Sequence, residues 1–482
     1  MRTPKTRYKR LSISDFTGGL NTEKSEFDIA PNEFKVFENL ILTYNGVRLR
    51  GGFQIEYSFS KRVLSAYQKD DKIYLIFEDG EFGAYNSTAR QYSKIGDITD
   101  EISIIPKMAW FEPAIVLTVG DSVWVYDTIT RIFSKTSSPP AKDLLIKYGR
   151  VVIASGDEVW LSGVGNATNW TPDSNDPASA MYFEVGYKEG QNITAINHFL
   201  NDILVFKEDK IYQIQDLSAV ILLNSKRGSV NNYSTISLMS DVYAIDKNGF
   251  YSVAKDRFID VVAGDLDLKV KSFLKENIDA DIRVFYSPTL RAFIMKGSRE
   301  TFLFFYEYGA FTTFKTLLPI DIYLDNLGLY GLGSGIYIYR HETPYDSYSQ
   351  YIADAINEIA VANEFIYQVK KIKGLIKSKT YSRSGINIIR FGITLKDIKG
   401  DGSFLLKVGK KNTTLNLSSS SKYIYDATEL ISDSYQAIYG LPNTISKHFH
   451  CNQVLNDFYV YASFDIPTSI QQIFIDTSVM EV

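Results

Sequence analysis

Four histidines, His198, His341, His448 and His450, are the side chains of this sequence that change protonation near neutral pH unaided. General acid–base chemistry therefore has few carriers. His448 and His450 stand two apart on an expected strand and share one face, with Cys451 on the other, which leaves a zinc site short of ligands. Ordinary strand positions are the plainer reading. Gly331, Gly333 and Gly335 lack both the dinucleotide-fingerprint spacing and the Gly-Lys-Ser/Thr ending of a P-loop, so they read as a turn. Neither HExxH nor GxSxG occurs. Asp397, Asp401 and Gly402 resemble part of a calcium loop without its far bidentate acid, and a solvated turn fits them better. The Ser-x-Asp-x-Gly-x-x-Trp repeat of sialidase-like propellers is missing, and its nearest echo, at 166–170, lacks the aspartate. Two carboxylates supplied by different blades of a propeller would leave no local motif, so glycoside hydrolysis stays open on this ground. No catalytic residue, metal or cofactor is expected.

The elements that would position any site are strands. With 45% hydrophobic, 14% aromatic and 22% charged residues among 482, the composition is too apolar for disorder and too mixed for a coiled coil. Fifty-two Lys and Arg against 56 Asp and Glu give a formal charge of −4, which argues against a generally basic nucleic-acid-binding surface. The single cysteine excludes an intramolecular disulfide framework. No apolar stretch forms a signal-peptide core after the basic start, and no window approaches 18 uninterrupted apolar residues, so no membrane-spanning helix is expected.

A short motif recurs: a turn residue, one spacer, then an aliphatic–aromatic pair. It stands at Asp71-Lys72-Ile73-Tyr74, Asp121-Ser122-Val123-Trp124, Asp157-Glu158-Val159-Trp160, Asp209-Lys210-Ile211-Tyr212, Asn248-Gly249-Phe250-Tyr251 and Ser334-Gly335-Ile336-Tyr337, with a degenerate copy at Glu300-Thr301-Phe302-Leu303. Each copy joins two β-rich runs through a polar turn, as a hairpin does. Hairpins repeating every 40 to 50 residues or so suit β-propeller blades, each of which buries its faces only by stacking on neighbours. The reading is an all-β propeller of six or seven blades; hairpins in a sandwich or barrel are the alternative, because the spacing is uneven. Tyr and Phe alternate with polar residues in these strands and are expected to pack blade against blade.

Three regions depart from the repeat. Residues 1–60 form an N-terminal arm and first strand, 61–344 the propeller, and 345–482 a separate antiparallel β domain. The stretch DLDLKVKSFLKEN (265–277) has the apolar spacing of a short amphipathic helix. The arm opens with Arg2, Lys5, Arg7, Lys9 and Arg10, which serve either as a solvated tail or as an anchor on an acidic neighbour or DNA.

The segment DFTGGLNTEKSEFDIAPNEFKVFENLILTYNGVRLRGGF (15–53) carries Phe16, Gly18, Gly19, Leu20, Asn21, Pro31, Glu33, Asn39, Gly46, Arg50, Gly51 and Gly52. At mid-chain, 159–214 carries Trp160-Leu161-Ser162, Asn169-Trp170, Leu204-Val205-Phe206-Lys207 and Ile211-Tyr212, and 226–253 ends in the turn Asp246-Lys247-Asn248-Gly249. Together these resemble the tail hub, or nozzle, of short-tailed bacteriophages, also described as the packaged-DNA stabilisation protein. One departure is Gly228-Ser229, where relatives often have Gly-Cys.

The resemblance implies a structural, non-enzymatic virion protein of the phage tail, assembled in the host bacterial cytoplasm. It implies a homo-oligomeric, six-fold ring below the portal and adaptor rings, through which double-stranded DNA passes without sequence-specific contact. A distal tail component or fibres are further partners it allows. Six copies would carry 6 × (−4), about −24 charges, repelling rather than capturing duplex DNA. The basic arm would then dock on the acidic ring above. A receptor-binding or polysaccharide-degrading propeller is the alternative function, and a cellular propeller scaffold a third.

Overall fold

In the copies at 121–124, 157–160, 209–212 and 248–251, the two apolar residues of each pair, both aromatic in the last, are adjacent on one strand, so their side chains leave opposite faces of the sheet. Each pair therefore serves two blade interfaces at once. Val123 packs into the core between blades 2 and 3 and Trp124 into that between blades 1 and 2; Ile211 and Tyr212 do the same one blade either side of blade 4. Phe250 and Tyr251 repeat the arrangement in blade 5. Fully burying such a side chain contributes about 1.5–3 kcal/mol, which explains why the motif recurs while its spacers vary.

The computed structural model describes residues 6–44, 46–50, 53–254, 268–279, 281–297, 300–315, 320–325, 329–333, 337–341, 353–361, 364–371, 374–396, 402–408, 411–417, 444–464 and 469–480. Seven antiparallel sheets form the blades. Blade 1 runs Val63–Lys69, Lys72–Phe77, Glu81–Asn86, Gln91–Asp97; blade 2 runs Ile102–Phe111, Ala114–Gly120, Val123–Asp127, Phe133–Lys135. Blade 3 is Asp143–Lys147, Arg150–Ser155, Glu158–Leu161, Met181–Glu184, and blade 4 is Ala195–Phe199, Asp202–Phe206, Ile211–Gln215, Ala219–Asn224. Blade 5 shows three strands among the described residues, Thr235–Leu238, Asp241–Asp246 and Gly249–Val253. Blade 6 is Arg283–Ser287, Ala292–Lys296, Thr301–Phe305, Ala310–Phe314.

Blade 7 takes Ile320–Asp325, Leu329–Gly333 and Tyr337–His341 from late in the propeller and its outer strand, Phe53–Ser58, from near the N-terminus. The chain thus closes its own ring. Each innermost strand lies against the next, and Ile320–Asp325 lies against Val63–Lys69, so the disc closes with seven blades.

Two expectations shift. The motif copy at 71–74 opens the second strand of blade 1, whereas those at 121–124, 157–160, 209–212, 248–251 and 300–303 open a third strand, and 334–336 of the last copy lie outside the described residues; the true equivalent of the first is Asp79-Gly80-Glu81-Phe82. Part of the uneven spacing disappears once that copy is moved. The rest reflects insertions: a long loop at 162–180 in blade 3, and the segment before blade 6 that carries the helix Lys271–Asn277.

The domain boundary at residue 60 also moves, because Phe53–Ser58 belongs to the propeller. The N-terminal arm and the C-terminal antiparallel β domain are both present, and they are built together. Glu33–Glu38 pairs parallel with the outer strand of blade 6 on one side and antiparallel with Gly374–Ser378 on the other, so blade 6 continues through Val460–Phe464, Gly402–Val408 and Lys411–Leu417. A second sheet unites Thr6–Ile13, Leu40–Thr43 and Gly46–Leu49 with Tyr381–Lys396, Thr444–Phe458 and Ser469–Met480. Phe34, Phe37, Ile376, Val460 and Ile473 share one core with Phe293 and Phe304 of blade 6. The domain expected to stand apart is continuous with the propeller.

Candidate functional site

A propeller brings the starts of its innermost strands together around one axis, and that is where this chain concentrates buried polar groups. Asp143, at the start of blade 3, is fully buried; it accepts hydrogen bonds from Lys107 Nζ of blade 2 at 2.6 Å, from the Ile196 amide of blade 4 at 2.7 Å and from the Leu144 amide at 2.7 Å. Burial pushes the Asp143 carboxyl above its ordinary value, against the opposing pull of Lys107. Lys107 Nζ also donates to the Asn232 carbonyl at 3.2 Å.

Asn232 belongs to a turn at 231–234 that crosses the axis. Its side-chain amide donates to the carbonyls of Ile105 and Lys142, both at 3.1 Å. Tyr233 reaches farther: its hydroxyl donates to the Pro106 carbonyl at 2.7 Å and lies 3.0 Å from Ser65 Oγ of blade 1. The Tyr233 carbonyl accepts from the Val284 amide of blade 6 at 2.8 Å, and Asn231 Nδ2 donates to the Ile282 carbonyl at 2.9 Å. Five side chains thereby tie blades 1 to 6 across the centre, and the axis is closed. Above this plug the mouth is a cavity of about 840 Å³ whose charged lining is Arg62, Lys142, Arg283 and Lys296 with Asp279, Asp281 and Asp321. Lys296 and Asp321 pair at 3.7 Å.

No family model matches the chain, and no curated protein matches it. Among solved structures it is similar to the computationally designed Ika8 protein, at 12% identity over 67% of this chain and 98% of that one, with a TM-score of 0.40. It is likewise similar to the WD40 beta propeller domain of Doa1, at 10% identity over 61% of this chain and 98% of that one, with a TM-score of 0.44. The fold is an all-β propeller. Its blade count comes from the chain's own strand pairing.

Of the residues singled out in the N-terminal segment, Phe16, Gly18, Gly19, Asn21, Asn39 and Arg50 converge on one seam, beside blade 6. Phe16 stacks on Phe34 at 5.6 Å and Phe34 on Phe37 at 5.0 Å. A Cβ on Gly18 would lie 2.4 Å from the Asn32 carbonyl; Gly19 sits at φ +63°, where a Cβ would lie 2.8 Å from that of Ala310 in blade 6. Asn21 donates to Glu33 at 2.9 Å. Burial pushes the Glu33 carboxyl up, yet the bonds from Ala30, Asn21 and Lys269 prevail and hold it below its ordinary value.

Asn39, at φ +58°, accepts on Oδ1 from Arg50 Nε and from the Lys315 amide, both at 2.9 Å. Arg50 is buried, donates to the Lys315 carbonyl at 2.7 Å and lies over the Phe314 ring at 4.2 Å. Burial lowers its guanidinium to about 9, so it stays charged at neutral pH. Gly46, at φ +133°, turns the hairpin between Leu40–Thr43 and Gly46–Leu49.

The remaining motif residues hold blades rather than a site. Trp170 is buried and donates to the Ala167 carbonyl at 3.1 Å, Phe206 is fully buried, Tyr212 donates to Glu189 at 2.6 Å, and Gly249 turns a hairpin at φ +130°. Gly228 is required beside its unusual neighbour, since a Cβ there would lie 2.1 Å from the Lys207 carbonyl; Ser229 bonds to Thr194 at 2.5 Å.

Of the basic arm, Arg7, Lys9 and Arg10 lie on the strand Thr6–Ile13, whose backbone pairs with Ser469–Met480. This segment is a sheet strand rather than a free tail. Arg2, Lys5 and Gly51 lie outside the described residues, as do Asp397 and Asp401. Among the described residues no cluster of three or more His, Cys, Asp or Glu could hold a metal, and no helix is long and apolar enough to cross a membrane. Sequence reasoning missed Lys107, Asp143, Asn232 and Tyr233; the available signal was their polar character, at the entrances to two innermost strands and, for Lys107, midway along a third.

Proposed function

We propose that this chain is a structural, non-enzymatic component of a bacteriophage tail: the hub or nozzle of a short-tailed phage, assembled as a six-fold ring. The observation that carries the reading is the convergence of Phe16, Gly18, Gly19, Asn21, Asn39 and Arg50, the residues of the family-like segment, on the seam beside blade 6. They share one architectural task.

The closed axis refines the proposal. Asn232 and Tyr233 bridge the blades, so the proposed passage for DNA is one between copies rather than a propeller centre. Six copies carry 6 × (−4) formal charges, which keeps the wall from capturing phosphates and leaves retention of the genome to steric narrowing. The strand Thr6–Ile13, with Arg7, Lys9 and Arg10, is the proposed contact with an acidic adaptor ring. The protein would be made in the host bacterial cytoplasm and reside in the virion tail, with fibres or a distal component as further partners.

A second reading, a receptor-binding or polysaccharide-degrading tail protein, is favoured by one observation: Asp279, Asp281 and Asp321 gather at the mouth. Electron microscopy of the purified protein with its adaptor tests the first reading, since persistent monomers would count against it. Release of reducing ends from host surface glycan, lost in Asp321→Asn, would favour the second.

A further inference from the structure

Three cations line the mouth above the axial plug without an acid to meet them. Arg62 stands just before the innermost strand of blade 1, Lys142 just before that of blade 3, and Arg283 at the first position of that of blade 6. Around a ring of seven blades they are two, three and two blades apart, so they surround the cavity rather than crowd one wall. None has an ion-pair partner among the described residues, and Arg283 lies over the Tyr233 ring of the plug at 5.7 Å. The fourth cation, Lys296, is taken by Asp321. The remaining acids are gathered differently. Asp279 and Asp281 share the turn that leads into blade 6, where Asp279 Oδ1 accepts the Asp281 amide at 3.1 Å. Asn232, which also lines the cavity, is only 7% exposed and spends its side-chain amide on the Ile105 and Lys142 carbonyls. Its Oδ1 is left as an acceptor without a partner among the described residues.

We infer that the mouth binds a carboxylate-bearing saccharide, a short oligosaccharide of uronic or sialic acid units. The three cations take the sugar carboxylates, Arg62 and Arg283 through a guanidinium fork that fits both carboxylate oxygens. Asp279, Asp281 and Asn232 Oδ1 accept the sugar hydroxyls. A simpler ligand matches only half of this lining: a neutral sugar leaves three charges unmet, and a compact polyanion meets Asp279 and Asp281. At about 840 Å³ the cavity has the size of a small-ligand site. The inference rests on the receptor-binding reading of the mouth and needs no cleavage, and the tail-hub reading is independent of it.

The test is calorimetric titration of the full chain with di- to tetrasaccharides of glucuronic, galacturonic and sialic acid, with their carboxyl-reduced neutral counterparts, and with inorganic polyphosphate. The acidic set is expected to contain a ligand that binds about tenfold or more tighter than its neutral counterpart, and added salt should weaken it. Arg62→Gln with Lys142→Gln should weaken that ligand about tenfold or more at an unchanged melting temperature. Both side chains are exposed, and Asn232 bonds to the Lys142 carbonyl rather than its ammonium. Equal binding of acidic and neutral sugars, or equal binding by the native chain and the double variant, would overturn the inference and leave the receptor-binding reading standing. Polyphosphate bound as tightly as the acidic sugars would overturn it by showing a plain anion site. Binding of no saccharide at all would overturn both.

Discussion

The propeller axis and the blade 6 seam solve one problem, holding separate stretches of chain together, by opposite means. At the axis, single polar side chains reach between blades: Asp143 binds groups from blades 2 and 4, and Tyr233 reaches blades 1 and 2. At the seam, a strand from the N-terminus enters a sheet, and Arg50 and Asn39 fasten the following hairpin to the end of blade 6. Backbone pairing joins strands that lie side by side, however far apart in sequence, but it cannot cross the centre of a disc. There, buried polar bonds take over, and each must be satisfied because an unpaired group costs about 1–3 kcal/mol.

The largest expected effect is at the axis. Asp143→Ala strands the Lys107 ammonium and should destabilise the chain by about 3–5 kcal/mol, with faster hydrogen exchange in the innermost strands of blades 2 to 4. Arg50→Ala should cost about 3 kcal/mol through its cavity and lost bonds, but with faster exchange in Glu33–Glu38 and Ser469–Met480. Identical exchange patterns for the two variants would erase the distinction between axis and seam. Gly19→Ala, strained by its positive φ and close to Ala310, should lower stability by about 2 kcal/mol in urea titration. Tyr233→Phe removes one hydroxyl and should cost about 1 kcal/mol while the ring still fills the axis.

The smallest effect is a pH dependence. Burial raises the Asp100 carboxyl, but bonds from Lys135, Ser122 and Trp124 outweigh it and hold the group below its ordinary 3.8. A carboxyl lowered in the folded state stabilises the fold above its unfolded value, and that contribution is lost as pH falls through the folded value. The melting-temperature gap between the native protein and Asp100→Asn should therefore be constant near neutrality and shrink below pH 4 or so.

Much of the propeller was legible because one aliphatic–aromatic pair serves two interfaces, which forces its repetition. Val123 with Trp124 and Ile211 with Tyr212 could be read without coordinates. The copy at 71–74 misled, since Ile73 and Tyr74 fit the same pattern on a second strand. The joint construction of the two termini was hidden, because pairing of Thr6–Ile13 with Ser469–Met480 spans nearly the whole chain and leaves no local mark. The plug was hidden too. Asn232 and Tyr233 look like turn residues, and only closure of the ring brings Ser65, Pro106 and Lys142 within their reach.

The most direct test is cryo-electron microscopy of the purified protein assembled on its adaptor ring. Six-fold particles are expected, with one passage between copies wide enough for duplex DNA and with every propeller centre filled. Monomers that never join the adaptor, or nucleic acid threaded through a propeller centre, would overturn it.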